Sequence, residues 1–187
     1  MNKYDIGAYR PIRSDDLIRV GRNYDGGYVV PKRVVNEMDA LLSLGVNLDW
    51  SFEKHLLQLR PDLDLVCVDG TTGLRKAFKK MFQKFFDCLG HLITLQWIKA
   101  SRDVKFFFVP LGFWRFFSQY SLVQKMVSNS PGQENVSLSE LLDYFLARDK
   151  NKIFIKMDIE GSEFGVLPEV EQYKTVSYTH LTLPTKA

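Results

Sequence analysis

The stretch LLSLGVNLDWSFE at residues 41–53 decides the fold. Leu41, Leu42 and Leu44 form a short apolar run, which is typical of a strand covered on both faces. Gly45 ends the run, and the residues after it carry apolar side chains at helical spacing. The stretch therefore predicts a buried strand, a tight glycine turn and an amphipathic helix.

A second apolar strand, residues 63–68, ends in Asp69 and Gly70, and Asp69 lies 24 residues after Gly45. This separation is close to the roughly 20 residues between the glycine turn and the ribose-binding acid of a nucleotide-binding βαβ unit. A turn without Cβ lets a ligand lie against the backbone, and a carboxylate at the next strand tip can accept hydrogen bonds from both ribose hydroxyls. An ordinary βαβ crossover, with Gly45 as turn residue and Asp69 as surface acid, is the alternative.

The composition is that of one globular domain, with 187 residues, 45% hydrophobic and 25% charged. A net charge of +3 is too small to indicate a nucleic-acid partner. No run of about 18 apolar residues occurs, so we predict no membrane span. The start does not resemble a signal peptide, and two cysteines do not suggest a disulfide framework. We therefore expect a cytoplasmic protein.

A third informative stretch, KIFIKMDIEGSEF at residues 152–164, reads as an apolar strand that ends in acids. Asp158 and Glu160 are two residues apart, so on a strand they point the same way. Two carboxylates that face one cleft can hold a metal, or they can act as base and positioner. The chain has no Cys/His spacing typical of a metal site, and we assign no metal ligands. Asp158 and Glu160 are therefore candidate catalytic residues, and the metal-binding alternative stays open.

Residues 74–89 predict an amphipathic helix with an aromatic stripe on one face and lysines and an arginine on the other. Such a helix can lie on an anionic membrane, but its place in the chain favours a helix that covers the sheet. Residues 92–98 and 104–110 are candidate strands. The aromatic run at residues 111–117 favours core or a pocket wall over an exposed docking patch.

Three motifs together resemble a known family. Residues 153–163 resemble the Lys-x-Asp-x-Glu-Gly-x-Glu signature of the FkbM-type methyltransferases, and residues 43–53 are similar to the first motif of one branch of that family. Asp-Gly-Gly-Tyr at residues 25–28 looks like the lead-in of the same branch, and as a turn flanked by β-formers it also predicts a hairpin. The resemblance covers roughly residues 21–170.

The resemblance implies an α/β fold with a doubly wound, Rossmann-like parallel sheet, and S-adenosylmethionine as cofactor. It also implies transfer of a methyl group, usually to oxygen, on a small-molecule or glycan acceptor. By position, Gly45 and Asn47 would line the methionine half of the cofactor, with Asp49 beside them. Asp69 would bind the ribose, and Asp158 would face the reaction cleft.

Two other functions stay open at the level of sequence. One is a metal-assisted transferase that acts on a nucleotide sugar, with Asp158 and Glu160 as metal ligands. The other is a non-catalytic nucleotide-binding or interaction domain with the aromatic run as docking surface.

We divide the chain into a lead-in with the hairpin (1–40), a partial methyltransferase domain (41–175) and a tail (176–187). Residues 176–185 resemble the translation of a transposon adapter used in sequencing libraries, so we expect the tail to be non-native and the natural protein to continue. We further expect strand 152–158 to have one edge without a partner and the chain as written to be inactive.

Overall fold

The computed structural model describes residues 15–23, 27–93, 107–128, 132–159, 165–166, 168–169 and 177–181. Its strands are β1 (Leu17–Gly21), β2 (Gly27–Pro31), β3 (Ala40–Leu44), β4 (Asp64–Val68), β5 (Ser121–Val123), β6 (Met126–Val127), β7 (Asn135–Val136), β8 (Ile153–Met157) and β9 (Ser177–Leu181). Its helices are α1 (Lys32–Glu37), α2 (Ser51–Leu59), α3 (Leu74–Ile93), α4 (Val109–Phe117) and α5 (Leu138–Leu146).

The central sheet has the order β5-β4-β3-β8-β9, and every neighbouring pair is parallel. β3 lies between β4 and β8, with Leu42 opposite Val66 on one side and Ile155 on the other. Counted along this sheet, the first strand therefore lies between the second and the fourth, as in doubly wound α/β folds. The predicted Rossmann-like α/β fold is confirmed.

Both faces of the sheet are covered, because alternate residues of each strand point to opposite sides. Leu41 and Phe154 pack in one apolar cluster with Phe52 of α2. Leu42 and Ile155, one position further along, pack in a second cluster with helix α5. This double burial explains why the central strands read as continuous apolar runs rather than as alternating patterns.

The predicted hairpin near the N-terminus is present. β1 and β2 pair antiparallel, with Val20 opposite Tyr28, and Val20 and Val30 are buried in the same cluster as α2. Helix α5 begins with the capping box that Ser137 and Glu140 form, in which each side chain accepts a hydrogen bond from the other residue's backbone N–H.

The prediction of a strand at residues 104–110 is wrong for residues 107–110, the part of this stretch that the structure describes. Helix α4 begins at Val109, with Pro110 in its first turn, where a missing N–H costs no hydrogen bond. Phe113 and Phe116 are buried three residues apart, which is helical rather than strand spacing. Of the other predicted strand, residues 92–93 belong to α3, and residues 94–98 lie outside the described residues.

Helix α3 forms as predicted, but it does not cover the sheet in the way that its place in the chain suggested. It packs mainly against α4. Ala77 and Cys88 are buried, whereas Phe82 and Phe86 are 57% and 67% exposed. Apolar periodicity predicts that a helix has an apolar face, but it does not tell which surface buries that face.

Strand β9 lies in the tail, residues 176–187. It pairs parallel with β8, with Ile153 opposite Ser177 and Met157 opposite Leu181. The expectation that one edge of β8 has no partner is therefore wrong in this structure. The free N–H and C=O groups of an edge strand accept any β-prone segment within reach, which accounts for the pairing. The non-native origin of residues 176–187 stays a prediction.

The backbone at position 45 requires glycine. Its φ is +80°, and a Cβ at this position would overlap the carbonyl of Asp158. We expect Gly45→Ala to lower the free energy of unfolding by at least about 1–2 kcal/mol, because left-handed backbone alone costs that much for a residue with Cβ.

The matched control is Gly90→Ala on helix α3, where an added Cβ meets no atom within 4 Å. Alanine there should raise the free energy of unfolding by up to about 1 kcal/mol, because glycine is the poorer helix former. Urea denaturation of both variants measures the difference, and equal stability of the two would contradict the role assigned to Gly45.

Candidate active site

Three strand ends meet at one cavity. Gly45 follows β3, Asp69 follows β4 and Asp158 follows β8, and all three line a cavity of about 480 Å³ together with Asn47. The cavity lies at the carboxyl ends of the parallel strands, where the strand order reverses and open α/β sheets bind ligands. Its volume falls within the roughly 300–1,000 Å³ of small-molecule sites.

The carboxylate of Asp69 holds two loops together. Its Oδ2 accepts a hydrogen bond from the backbone N–H of Asn47 at 2.6 Å, and its Oδ1 accepts from the N–H and the hydroxyl of Thr71 at 2.7 and 2.8 Å. A carboxylate has about four lone-pair sites, so roughly one remains, on Oδ2. Asp69 can therefore accept one ribose hydroxyl with its loop contacts intact, and a second only if the Thr71 hydroxyl turns away.

Asp158 receives a hydrogen bond from the N-terminal hairpin. The Tyr28 hydroxyl donates to Asp158 Oδ2 at 3.1 Å. Burial raises the pKa of Tyr28 to about 12; the charge of Lys156 acts in the opposite direction, and Asp158 adds to the rise. Tyr28 therefore stays protonated and acts as a donor at neutral pH. The second oxygen of Asp158 is left to face a ligand.

A buried ion pair lies next to the cavity. Lys156 Nζ on β8 is 3.0 Å from Glu53 Oε1 on α2, and the two side chains are 4% and 0% exposed. The Ser43 hydroxyl on β3 donates to the same oxygen at 2.5 Å. Burial disfavours the charged amine, but the nearby Glu53 carboxylate outweighs this effect and raises the pKa of Lys156. Lys156 thus forms a buried ion pair with Glu53, which lies on a neighbouring helix.

Asp49 does not line the cavity. One of its oxygens accepts a hydrogen bond from the Ser51 N–H at the start of α2, and the other is 3.1 Å from the guanidinium of Arg22. In this structure Asp49 therefore contacts the first residue of α2 and Arg22. Glu160, the second predicted catalytic acid, lies outside the described residues.

Two lysines at the rim of the cavity were not among the predicted site residues. Lys76, on the first turn of α3, is 3.3 Å from the Thr71 hydroxyl, and Lys125 follows β5. The signal for Lys125 was its place after a third parallel strand, but a strand of three residues is too short to recognise. The lining of the cavity therefore carries both carboxylates and ammonium groups, which suits a ligand with charges of both signs.

The described residues contain neither of two features that would indicate another class of protein. They hold no group of three or more His, Cys, Asp and Glu side chains that could bind a metal ion. In the same part of the chain, no helix is both long and apolar enough to cross a membrane.

A doubly wound sheet with acids from two strands at its switch point is typical of Rossmann-like domains. The sequence model of the Methyltransferase FkbM domain matches residues 5–179, and the chain belongs to this family of methyltransferases. Comparison with curated proteins and comparison with solved structures each found no match. Family membership confirms the resemblance seen in the three motifs, and it implies a methyl donor and a methyl acceptor.

The ion pair of Glu53 and Lys156 yields a test of stability. Glu53→Gln leaves a buried ammonium without its counter-charge, so the free energy of unfolding should fall by about 3–5 kcal/mol. The double variant Glu53→Gln/Lys156→Met removes both charges and should recover part of that loss. Urea denaturation of the two single variants and the double variant measures the coupling, and additive losses would show that the pair is not coupled.

Alkaline pH should destabilise the fold. Burial raises the pKa of Cys67 well above its ordinary 9.0, and the pKa values of Tyr28 and Lys156 are raised above 10.0 and 10.5. Between those ordinary values and the raised ones, the folded chain binds more protons than the unfolded chain, so stability falls as pH rises. We expect the urea midpoint to decrease above about pH 9, and Cys67→Ala should delay the decrease. A midpoint that stays constant to pH 11 would contradict these assignments.

Proposed function

We propose that the natural protein that contains this sequence transfers a methyl group from S-adenosylmethionine to a hydroxyl oxygen of a small-molecule or glycan acceptor, in the cytoplasm. One observation carries the proposal. Asp69 and Asp158, from strands on either side of β3, line one cavity with the glycine turn that follows β3. The first acid suits a cofactor ribose, and the second suits an acceptor hydroxyl.

The residues present fit this cofactor. The spare lone pair on Asp69 Oδ2 can accept a ribose hydroxyl, and the turn at Gly45 and Asn47 offers backbone to the methionine half. The methionine half carries an ammonium and a carboxylate, which match the acids and the rim lysines Lys76 and Lys125. When bound, this cofactor supplies a methyl group on a positively charged sulfur.

The protein's part in the reaction is to position the acceptor and take up a proton. Asp158 would accept the proton of the acceptor hydroxyl, and the bound cofactor would supply the methyl group that this oxygen takes up. Tyr28 holds Oδ2 of Asp158 from the hairpin side, so Oδ1 is the oxygen that receives the proton. Walls that exclude water and align the two reactants supply much of the acceleration.

Two alternatives remain for the test to separate. A metal-assisted nucleotide-sugar transferase would require a divalent cation at Asp158 and Glu160, and a non-catalytic domain would bind neither ligand. Membership of a methyltransferase family favours methyl transfer over both of these alternatives. Calorimetric titration with S-adenosylhomocysteine, with and without magnesium, discriminates among the three.

Asp69→Ala should weaken binding of S-adenosylhomocysteine by at least about tenfold, because it removes a charge-assisted hydrogen bond worth about 1.5–3 kcal/mol and frees the two loops that Asp69 joins. Asp62→Ala is the matched control, since that carboxylate pairs with Arg60 on the surface. Isothermal calorimetry of both folded variants measures the effect, and unchanged affinity in Asp69→Ala would remove the ribose assignment.

Asp158→Asn keeps the shape of the side chain and removes its charge. Turnover should fall about 10²-fold or more, while affinity for S-adenosylhomocysteine changes little, because the base acts on the acceptor. Asp64→Asn, at the opposite end of the same sheet, should leave turnover unchanged. The measurement is transfer of labelled methyl from S-adenosylmethionine to pools of hydroxyl acceptors. Equal turnover in Asp158→Asn and the parent would clear Asp158 of this role.

A further inference from the structure

Helices α3 and α4 both expose large aromatic and aliphatic side chains, which together we call the aromatic ridge. Its members on α3 and α4 are Phe78, Phe82, Phe85, Phe86, Leu111 and Trp114, which are between 39% and 67% exposed. The two helices pack against each other.

The ridge is costly in water. Apolar surface that stays in water forgoes the free energy of burial, and large apolar patches on monomers mark interaction sites. The exposed phenylalanines on α3 recur at i, i+4, i+7 and i+8, which is the spacing of one helix face. A face of this kind is expected to be covered when the protein works.

The charge on the same helix indicates what covers it. Residues 74–93 carry five lysines and arginines and one acid, Asp87, which pairs with Lys84 at 2.9 Å. Arg75 and Lys79 lie next to the phenylalanines in the helical repeat, and both are exposed. In a dimer formed through this surface, the positive charges of the two copies would repel each other. An anionic surface would instead attract these charges.

We propose that α3 and α4 dock on an anionic phospholipid surface, with α3 in the plane of the interface and the aromatic ridge among the acyl chains. Amphipathic helices that bind membranes in this way have basic residues on the polar face and Phe, Trp or Leu on the other. At 20 residues, α3 is about 30 Å long, which provides a line of contact along the interface. This binding is separate from methyl transfer and does not depend on the cofactor assignment.

Vesicle co-sedimentation of the 187-residue chain tests the proposal. The chain should bind vesicles of phosphatidylcholine with phosphatidylserine, bind vesicles of phosphatidylcholine alone much less, and dissociate when salt is raised from about 0.1 M to about 1 M. Phe82→Ser/Phe86→Ser should weaken binding at least about tenfold, because two rings no longer enter the acyl region. The matched control is Leu59→Ser, which replaces a 46% exposed leucine on α2.

A second pair of variants tests the charge. Arg75→Gln/Lys79→Gln should weaken binding to the anionic vesicles about fivefold per residue, while Lys54→Gln on α2 should not. Equal binding to neutral and anionic vesicles, no binding to either, or full binding by the Phe82→Ser/Phe86→Ser variant would overturn the proposal. Sedimentation velocity tests whether a second copy covers the ridge instead. A parent chain that is dimeric and does not bind vesicles, together with a monomeric Phe82→Ser/Phe86→Ser variant, would assign the ridge to a dimer interface.

Discussion

The buried ion pair between Glu53 and Lys156 constrains the whole site. It ties β8 to α2, and through Ser43 it also ties both to β3. Because side chains alternate along a strand, slipping β8 by one residue would move the ammonium to the other face of the sheet, among the apolar side chains of α5. The pair therefore helps to set the register of β8, and this register delivers Asp158 to the end of the sheet beside Gly45.

The centre of the sheet and much of the cavity could be predicted from the sequence because their signals are local. β3, the glycine turn, α2 and β4 follow one another within the 29 residues from Ala40 to Val68. Apolar runs, a helical repeat and a terminal acid are each readable in that stretch without knowledge of the rest of the chain. Gly45, Asn47, Asp69 and Asp158 all reach the predicted edge because parallel strands align their carboxyl ends.

The remaining features depend on contacts between distant residues. Tyr28 meets Asp158 across 130 residues, and Lys156 meets Glu53 across 103. No spacing rule relates such pairs, so a tyrosine in a hairpin and a glutamate inside a helix carried no signal for the site. The surroundings of α3 were missed for the same reason, because its apolar stripe is local but the surface that it meets is not.

The hydrogen bond between Tyr28 and Asp158 depends on the order in which parts of the chain fold. The parallel strands β3 and β4 are close in sequence and lose little loop entropy when they pair, whereas the closure between the hairpin and β8 spans most of the chain. The sheet can therefore be largely formed while the phenol is still away from the carboxylate. A local opening of the hairpin would break the hydrogen bond from Tyr28 to Asp158 and leave the cavity formed. This opening would cost less free energy than global unfolding.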